Sequence, residues 1–327
     1  MKKLFACVLA VMLAVSAAAF AEEAKPEIRV ASLKGPTTMG LVKLMHDAES
    51  GAELTNDYTF TLAASADEVS PKLMQGELDI ACVPANLAAV LYQKTGGEIV
   101  TLGINTLGVL YIVENGNAVT SMADLAGKTI AASGKGSTPE YALRYLLREN
   151  GVDPDGGVVI DWKSEHSECV SALATGAATI AMLPQPFVTV AQSKLQDLRV
   201  ALDLTQEWDA LDNGSALLTG VVVARKDVVE ENPAAIDAFL ADYAQSVEWV
   251  NANTADAAAL IGDYGIVDAA VAEKALPACN IVCITGAEMK EKLSGYLQIL
   301  FEEDPSSVGA QAGDDTGLPG DDFYYGA

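Results

Sequence analysis

The chain has 327 residues, half of them hydrophobic and few of them aromatic, which is enough for an aliphatic core and for two domains. Its formal net charge of −25 repels polyanions, so we expect no nucleic acid partner. Only two histidines are present and neither has cysteine–histidine spacing, so the sequence predicts no metal site.

The N-terminus has the pattern of a secretory signal. Residues 1–21 combine two lysines with an apolar stretch and end in a small-residue motif, Ala19-Phe20-Ala21. Cys7 lies too early to be a lipid-modified residue at the end of that segment. We therefore expect cleavage after Ala21 and an exported protein in the periplasm or cell envelope.

Strands and helices alternate along the rest of the chain, which predicts an α/β fold. Short apolar runs indicate strands at 28–33, 58–63, 78–83, 99–104, 109–113, 129–132, 158–162, 180–183, 198–202 and 217–224. Helical patterns lie between many of these strands, and from Pro233 onward helices dominate. Residues 204–216 resemble a connector, and the tail from Asp304 is rich in Gly, Asp and Pro, which predicts a flexible segment.

The stretch from Asp124 to Gly151 has the most structured pattern. A buried strand is followed by the turn Ser133-Gly134-Lys135-Gly136-Ser137, after which Thr138 caps a helix with Pro139 at its first position. Such a turn directs free backbone N–H groups and hydroxyls to one place. It suits an oxygen-bearing ligand.

The same arrangement occurs a second time at an offset of 100 residues. Five identities pair the two segments: Leu73, Gly76, Ile80, Ala81 and Pro84 recur as Leu173, Gly176, Ile180, Ala181 and Pro184. In the same register Thr38 corresponds to Thr138. The repeat predicts two similar lobes.

Two such lobes would face each other across a ligand cleft, because open α/β sheets bind ligands beyond the carboxyl ends of their strands. Equivalent loops from each lobe would line this cleft. The candidate ligand-binding residues are Thr37, Thr38, Ser65, Ala85, Asn86, Gly136, Ser137, Thr138, Glu165, His166, Gln185 and Thr219. Glu165 and His166 favour ligand contact over acid–base catalysis, and Glu165 favours a ligand with an N–H donor.

Three segments carry a resemblance to a known family: IRVASLKGPTT, LMQGELDIACVPANLAAVLYQK and DLAGKTIAASGKGSTPEYALRYLL. Together they resemble the substrate-binding proteins of ABC importers, in the class for nitrate, sulfonate, taurine and thiamine precursors. The resemblance covers about residues 28 to 300.

The resemblance implies the two-lobed type 2 periplasmic-binding fold, with crossovers near 111–115 and 204–219. The corresponding division is a first lobe over 26–112, a second lobe over 113–204, a completion of the first lobe over 205–303 and a flexible tail over 304–327. It implies ligand contacts by Thr37, Thr38, Asn86, Ser137 and Thr138. It also implies a small-molecule solute and a membrane permease as partners, no cofactor, and a monomer.

Two alternatives to transport remain at this point. One is an enzyme on the same fold, such as the menaquinone-pathway proteins, although an export signal argues against intracellular chemistry. The other is an envelope sensor whose partner is a signalling receptor. The ligand class stays open among sulfonates, nitrate-like anions, amino-containing solutes and pyrimidines. Cys279 and Cys283 are either a disulfide or two free thiols.

Overall fold

The strands form two separate sheets in a computed structural model that describes residues 25–311 and 317–327. The predicted signal segment and its cleavage site lie outside the described residues. The strands are β1 (Glu27–Leu33), β2 (Asp57–Ala63), β3 (Ile80–Pro84), β4 (Ile99–Leu107), β5 (Leu110–Glu114), β6 (Thr129–Ser133), β7 (Val159–Lys163), β8 (Ile180–Pro184), β9 (Arg199–Asp203), β10 (Leu218–Arg225) and β11 (Ile281–Ile284).

Helices connect these strands and cover both faces of each sheet. They are α1 (Pro36–Met39), α2 (Val42–Glu49), α3 (Ala66–Met74), α4 (Ala85–Thr95), α5 (Thr138–Glu149), α6 (His166–Ala174), α7 (Phe187–Lys194), α8 (Leu204–Asp209), α9 (Lys226–Glu231), α10 (Pro233–Ala252), α11 (Thr254–Asp263), α12 (Ala269–Ala275) and α13 (Gly286–Glu303). The expected α/β class is therefore present. The short elements α8, α9 and β11 were not predicted.

The two sheets have matching strand orders. The first runs β11-β4-β10-β3-β1-β2 and the second β9-β5-β8-β6-β7, so β3, β1 and β2 correspond to β8, β6 and β7. The paired residues Ala31 and Ala81 of the first sheet have counterparts in Ala131 and Ala181 of the second. Each sheet also holds one antiparallel strand beside these three, β10 in the first and β5 in the second. The predicted repeat is thus present as two lobes, each named here after its sheet.

The first crossover between the lobes lies earlier than expected. Strand β5 begins at Leu110 and pairs with β8, so it belongs to the second sheet, and the chain passes between lobes at Gly108 and Val109 rather than at 111–115. The second crossover covers 204–217, two residues shorter than the expected 204–219, and contains α8, in which Trp208 is fully buried. A side chain at Gly108 would collide with the hydroxyl of Thr205, so glycine lets the two crossovers touch.

Residues 304–311 and 317–327 of the tail are packed against the first lobe, which corrects for them the expectation of a flexible segment from Asp304. Val308 and Phe323 are fully buried, and Tyr324 forms a β-bridge with Thr101 of β4. The low apolar content of the tail as a whole was misleading, because a few aromatic side chains at its end supply the burial that holds it.

The core is continuous between the lobes. One apolar cluster includes residues of both sheets and is joined by α13, where Tyr296 packs against Trp208 with ring centroids 5.7 Å apart. Cys279 and Cys283 are free thiols in the structure, as are Cys82 and Cys169. Within the described residues, none of the helices is long and apolar enough to cross a membrane.

Candidate functional site

A cavity of about 290 Å³ lies between the two sheets, at the ends of their strands. Its wall combines loops of the first lobe, loops of the second lobe, the first crossover and the start of β10. The lining residues are Lys34, Gly35, Pro36, Thr37, Pro84, Val109, Leu110, Ser137, Thr138, Pro139, His166, Pro184, Gln185, Pro186, Phe187 and Thr219. Helices α4, α5, α6 and α7 begin at this wall, so the positive ends of their dipoles lie beside the cavity.

The start of α5 is built by the glycine turn that follows β6. Gly134 has a φ of 84°, and a side chain there would meet Pro139 at 2.7 Å, so glycine is needed on both grounds. The Ser137 hydroxyl donates to the carbonyl of Gly134 at 2.7 Å. Ser137 occupies the N-cap position and Thr138 is the first helical residue, so the helix begins one position earlier than the sequence suggested.

Gln185 contributes an amide to the wall of the second lobe. It is 6% exposed, and its Oε1 accepts hydrogen bonds from the hydroxyl of Thr189 at 2.9 Å and from the backbone N–H of Thr189 at 3.4 Å. Thr189 lies one turn further along, on α7, and is itself buried. The amide oxygen is therefore occupied by the helix, and the amide nitrogen is left for the cavity.

His166 is the first residue of α6 and lines the same wall. Its Nδ1 forms a short hydrogen bond with the hydroxyl of Ser133, which is buried at the end of β6. Its ring packs against Phe187, with centroids 5.1 Å apart. Burial lowers the pKa of His166 below its ordinary value of 6.5, which favours the neutral ring near neutral pH.

The first lobe contributes a wall that is crowded beneath Thr37. The Thr37 hydroxyl donates to the carbonyl of Leu33 at 2.9 Å, so its hydrogen is used within the protein. Gly220 of β10 lies directly behind it, and an added methyl group there would stand 2.5 Å from Thr37 Cγ2. The same methyl group would clash with Oδ1 of the neighbouring buried Asn105.

The charge of the site contrasts with that of the chain. Among the described residues that line the cavity there is no carboxylate, and Lys34 is the one permanent cation. Lys34 is an exposed residue at the rim, and its ammonium group donates to the carbonyl of Gly265 at 3.2 Å. The lining of the cavity therefore carries no negative side chain in a strongly acidic protein. Residues 25–311 and 317–327 contain no cluster of three metal-ligating side chains.

The structure brings half of the twelve candidate residues to the cavity. Those that line it are Thr37, Ser137, Thr138, His166, Gln185 and Thr219. Of the others, Thr38 is fully buried and donates to Ser32 Oγ at 2.7 Å, while Ala85 is buried in α4. Ser65 and Glu165 are exposed N-caps of α3 and α6.

Gly136 and Asn86 have other contacts. The N–H of Gly136 donates to a carboxylate oxygen of Glu140 at 2.6 Å, on the outer side of the turn. Asn86 donates to the carbonyl of Ser307 and accepts a hydrogen bond from Thr138. Sequence reasoning missed Thr189 and Ser133, which act from behind the wall. The spacing of four residues between Gln185 and Thr189 is the one sequence feature that could have indicated Thr189, and no such feature indicated Ser133.

Residues 51–275 match the protein family described as "ABC transporter, phosphonate, periplasmic substrate-binding protein". Among curated proteins, a putative binding protein of Brucella abortus is 25% identical over 180 residues, which are 55% of this chain and 54% of the relative. The chain thus spans about half the length of the curated relatives that it matches.

Two solved structures have a similar fold. An ABC transporter protein from Parabacteroides distasonis is 22% identical with a TM-score of 0.75, covering 92% of this chain and 99% of that one. The periplasmic aliphatic sulphonate binding protein of Escherichia coli is 18% identical with a TM-score of 0.69, covering 87% and 94%. This likeness confirms the expected two-lobed fold. The family match confirms the resemblance drawn from the sequence, and the chain belongs to the family of periplasmic substrate-binding proteins of phosphonate ABC transporters.

Proposed function

We propose that the protein is the solute-binding component of an ABC importer, which captures a small polar organic solute between its lobes and delivers it to a membrane permease. The observation that carries this proposal is the cavity itself. Equivalent loops of the two repeats meet there, and Val109 of the first crossover and Thr219, just after the second crossover, form part of its wall. Its volume of about 290 Å³ is near the lower end for pockets that bind small molecules.

Affinity would come from backbone N–H groups at the starts of α4, α5 and α7, together with side-chain donors such as Gln185. The apolar part of the wall, which includes Phe187 and Leu110, would hold the body of the solute. A rotation of the lobes about the two crossovers would then exclude water from the bound molecule.

The arrangement of Glu165 and His166 supports binding rather than catalysis. The Glu165 carboxylate caps α6 on the exposed side and accepts a hydrogen bond from Ser167, whereas His166 turns towards Ser133 and the cavity. The two groups therefore do not form an acid–base pair. We propose a non-enzymatic protein that acts as a monomer, reaches the periplasm through residues 1–21 and is cleaved after Ala21. For its two lobes we propose the limits 26–107 with 218–303, and 110–203.

A ligand screen by thermal unfolding tests the proposal. The protein is expressed with its own N-terminal segment, purified from the periplasmic fraction and heated with ethanesulfonate, nitrate, taurine or thymine. A solute at 100 times its dissociation constant should add about 2.7 kcal/mol of stability. Thr138→Val should reduce this response, and Thr59→Val, on the exposed side of β2, should keep it. A flat response to every solute, or equal loss in both variants, would contradict the proposal.

A further inference from the structure

The end of the chain, residues 320–327, lies along strand β4 of the first sheet. Strand β10 pairs with the whole of β4 on one side. On the other side β11 pairs only with the C-terminal half of β4, which leaves residues 99–102 to the end of the chain. Tyr324 forms its bridge to Thr101 there, and the N–H of Tyr325 donates to the carbonyl of Thr101 at 3.0 Å. The C-terminal residues therefore complete an edge of the first sheet.

Side chains hold this segment in place as well. Phe323 is fully buried and Tyr324 is 7% exposed. The carboxylate of Asp322 accepts hydrogen bonds from the hydroxyl of Tyr92 at 2.7 Å and from the ammonium group of Lys226 at 3.1 Å. The segment is thus docked by buried aromatic rings, a carboxylate with two donors and a backbone hydrogen bond.

The part of β4 under this segment has the composition of an edge that needs a cover. Residues 99–102 read Ile-Val-Thr-Leu, and each of them is at most 5% exposed. An open apolar edge pairs with a strand of another chain, so natural sheets protect their edges with charged side chains, prolines or covering segments. Because residues 99–102 contain neither a charge nor a proline, the C-terminal segment is their protection.

We propose that residues 320–327, called the strap here, keep the protein monomeric by covering the edge of β4, and that two copies pair through this edge when the strap is removed. A second copy fits because an antiparallel pairing of two β4 strands is self-complementary under two-fold symmetry. Residues 99–102 carry no charge, so the pairing places no like charges opposite each other. The inference concerns assembly and is independent of the solute that the cavity binds.

The first experiment removes the strap by ending the chain at Pro319. In sedimentation velocity the shortened protein should show a dimer fraction that rises with protein concentration, while the full chain stays monomeric over the same range. An acetylated peptide of residues 320–327, added in excess, should return the shortened protein to the monomer. The inference is wrong if the shortened protein stays monomeric, if the peptide leaves its dimer unchanged, or if the full chain is already a dimer.

Hydrogen exchange measured by mass spectrometry locates the surface through which the copies pair. In the shortened protein at low concentration, the amides of residues 99–102 should exchange faster than in the full chain. Dimer formation and addition of the peptide should each slow this exchange again. A dimer in which residues 99–102 gain no protection pairs through another surface and would overturn the inference.

A second pair of variants keeps the full chain, so the test does not depend on the folding of the shortened protein. Tyr325→Pro removes the N–H that donates to Thr101, and Tyr325→Ala loses the same side chain but keeps that N–H. The dimerisation constant of Tyr325→Pro should exceed that of Tyr325→Ala at least about fivefold, as expected for the loss of one hydrogen bond from the strap. Equal constants would show that strand pairing by the strap does not control assembly.

Discussion

The hydroxyl of Thr138 donates a hydrogen bond to Oδ1 of Asn86 at 3.3 Å, and this bond joins the two lobes beside the cavity. Thr138 begins α5 of the second lobe and Asn86 lies in the first turn of α4 of the first lobe. The Asn86 amide also donates to the carbonyl of Ser307 at 3.1 Å, so its orientation is fixed from behind. Thr138 lines the cavity and Asn86 does not, which gives the two residues different roles.

This bond should stabilise the arrangement in which the lobes meet. In a double-mutant cycle, Thr138→Val and Asn86→Ala should show a coupling free energy of about 0.5 to 1.5 kcal/mol for the solute that binds best. Isothermal titration calorimetry on the four proteins measures it.

Asn86→Asp is the control for that cycle, because it keeps an oxygen acceptor for Thr138 and loses the donor to Ser307. It should retain most of the coupling to Thr138. Effects of the two single substitutions that simply add would show that the bond between Asn86 and Thr138 contributes nothing to binding.

Gly220→Ala should destabilise the first lobe and displace the cavity wall. The new methyl group would collide with the buried amide of Asn105 and would lie 2.5 Å from Thr37 Cγ2. Overpacking of this kind costs about 1 to 3 kcal/mol, which urea unfolding measures. Gly156→Ala is the matched control, because the nearest atom there is the end of the flexible Asp153 side chain. Equal stability of the two variants would contradict the close packing behind Thr37.

Stability should depend on the protonation of His166. Burial lowers the pKa of His166 in the folded state below the ordinary value of 6.5, so His166 binds a proton more readily in the unfolded chain. The contribution of the neutral ring is thus present above pH 6.5 and is lost as the pH falls from there towards the folded pKa. His166 contributes at most about 1.4 kcal/mol per pH unit to the slope of the unfolding free energy against pH.

Urea unfolding between about pH 5.5 and pH 7.5 tests this dependence. His166→Gln should reduce the slope of the unfolding free energy against pH. His46→Gln, which removes the other histidine from the exposed surface of α2, controls for the change of residue type. An unchanged slope in His166→Gln would mean that the ring is protonated equally in both states.

The sequence predicted the order of elements well, because apolar runs and glycine turns are local signals. The strands predicted at 78–83 and 180–183, for example, correspond to the equivalent buried strands β3 and β8, although β3 begins only at residue 80. It could not predict the direction of individual side chains. Thr37 and Thr38 are adjacent, yet only Thr37 lines the cavity, because the first turn of α1 directs Thr38 inward to Ser32.

Contacts between segments that are far apart in the chain could not be predicted from the sequence either. His166 was a candidate from the symmetry of the lobes, but its partner Ser133 is 33 residues away and is brought close only by the pairing of β6 with β7. The short strand β11 pairs with β4 through few residues, so its four apolar positions gave too weak a pattern.

The C-terminal segment should contribute strongly to the stability of the first lobe. Phe323 is fully buried and meets the ring of Tyr92 edge-on, with centroids 5.2 Å apart. Phe323→Ala removes this burial and leaves a cavity, so it should cost about 3 to 5 kcal/mol of unfolding free energy. Tyr325→Phe, which loses one exposed hydrogen bond to Asp237, should cost about 1 kcal/mol or less.

Chemical denaturation of the two variants distinguishes a docked tail from a loose one. If the tail is docked, Phe323→Ala should lose several times more unfolding free energy than Tyr325→Phe. The first substitution removes buried apolar area, whereas the second removes one solvent-exposed hydrogen bond. Losses that are small and similar would indicate that the tail is detached in solution. In that case the backbone N–H of Tyr325 would lose its hydrogen bond to the carbonyl of Thr101, which is 3.0 Å long in the structure, and should exchange with solvent as fast as the amides of exposed loops.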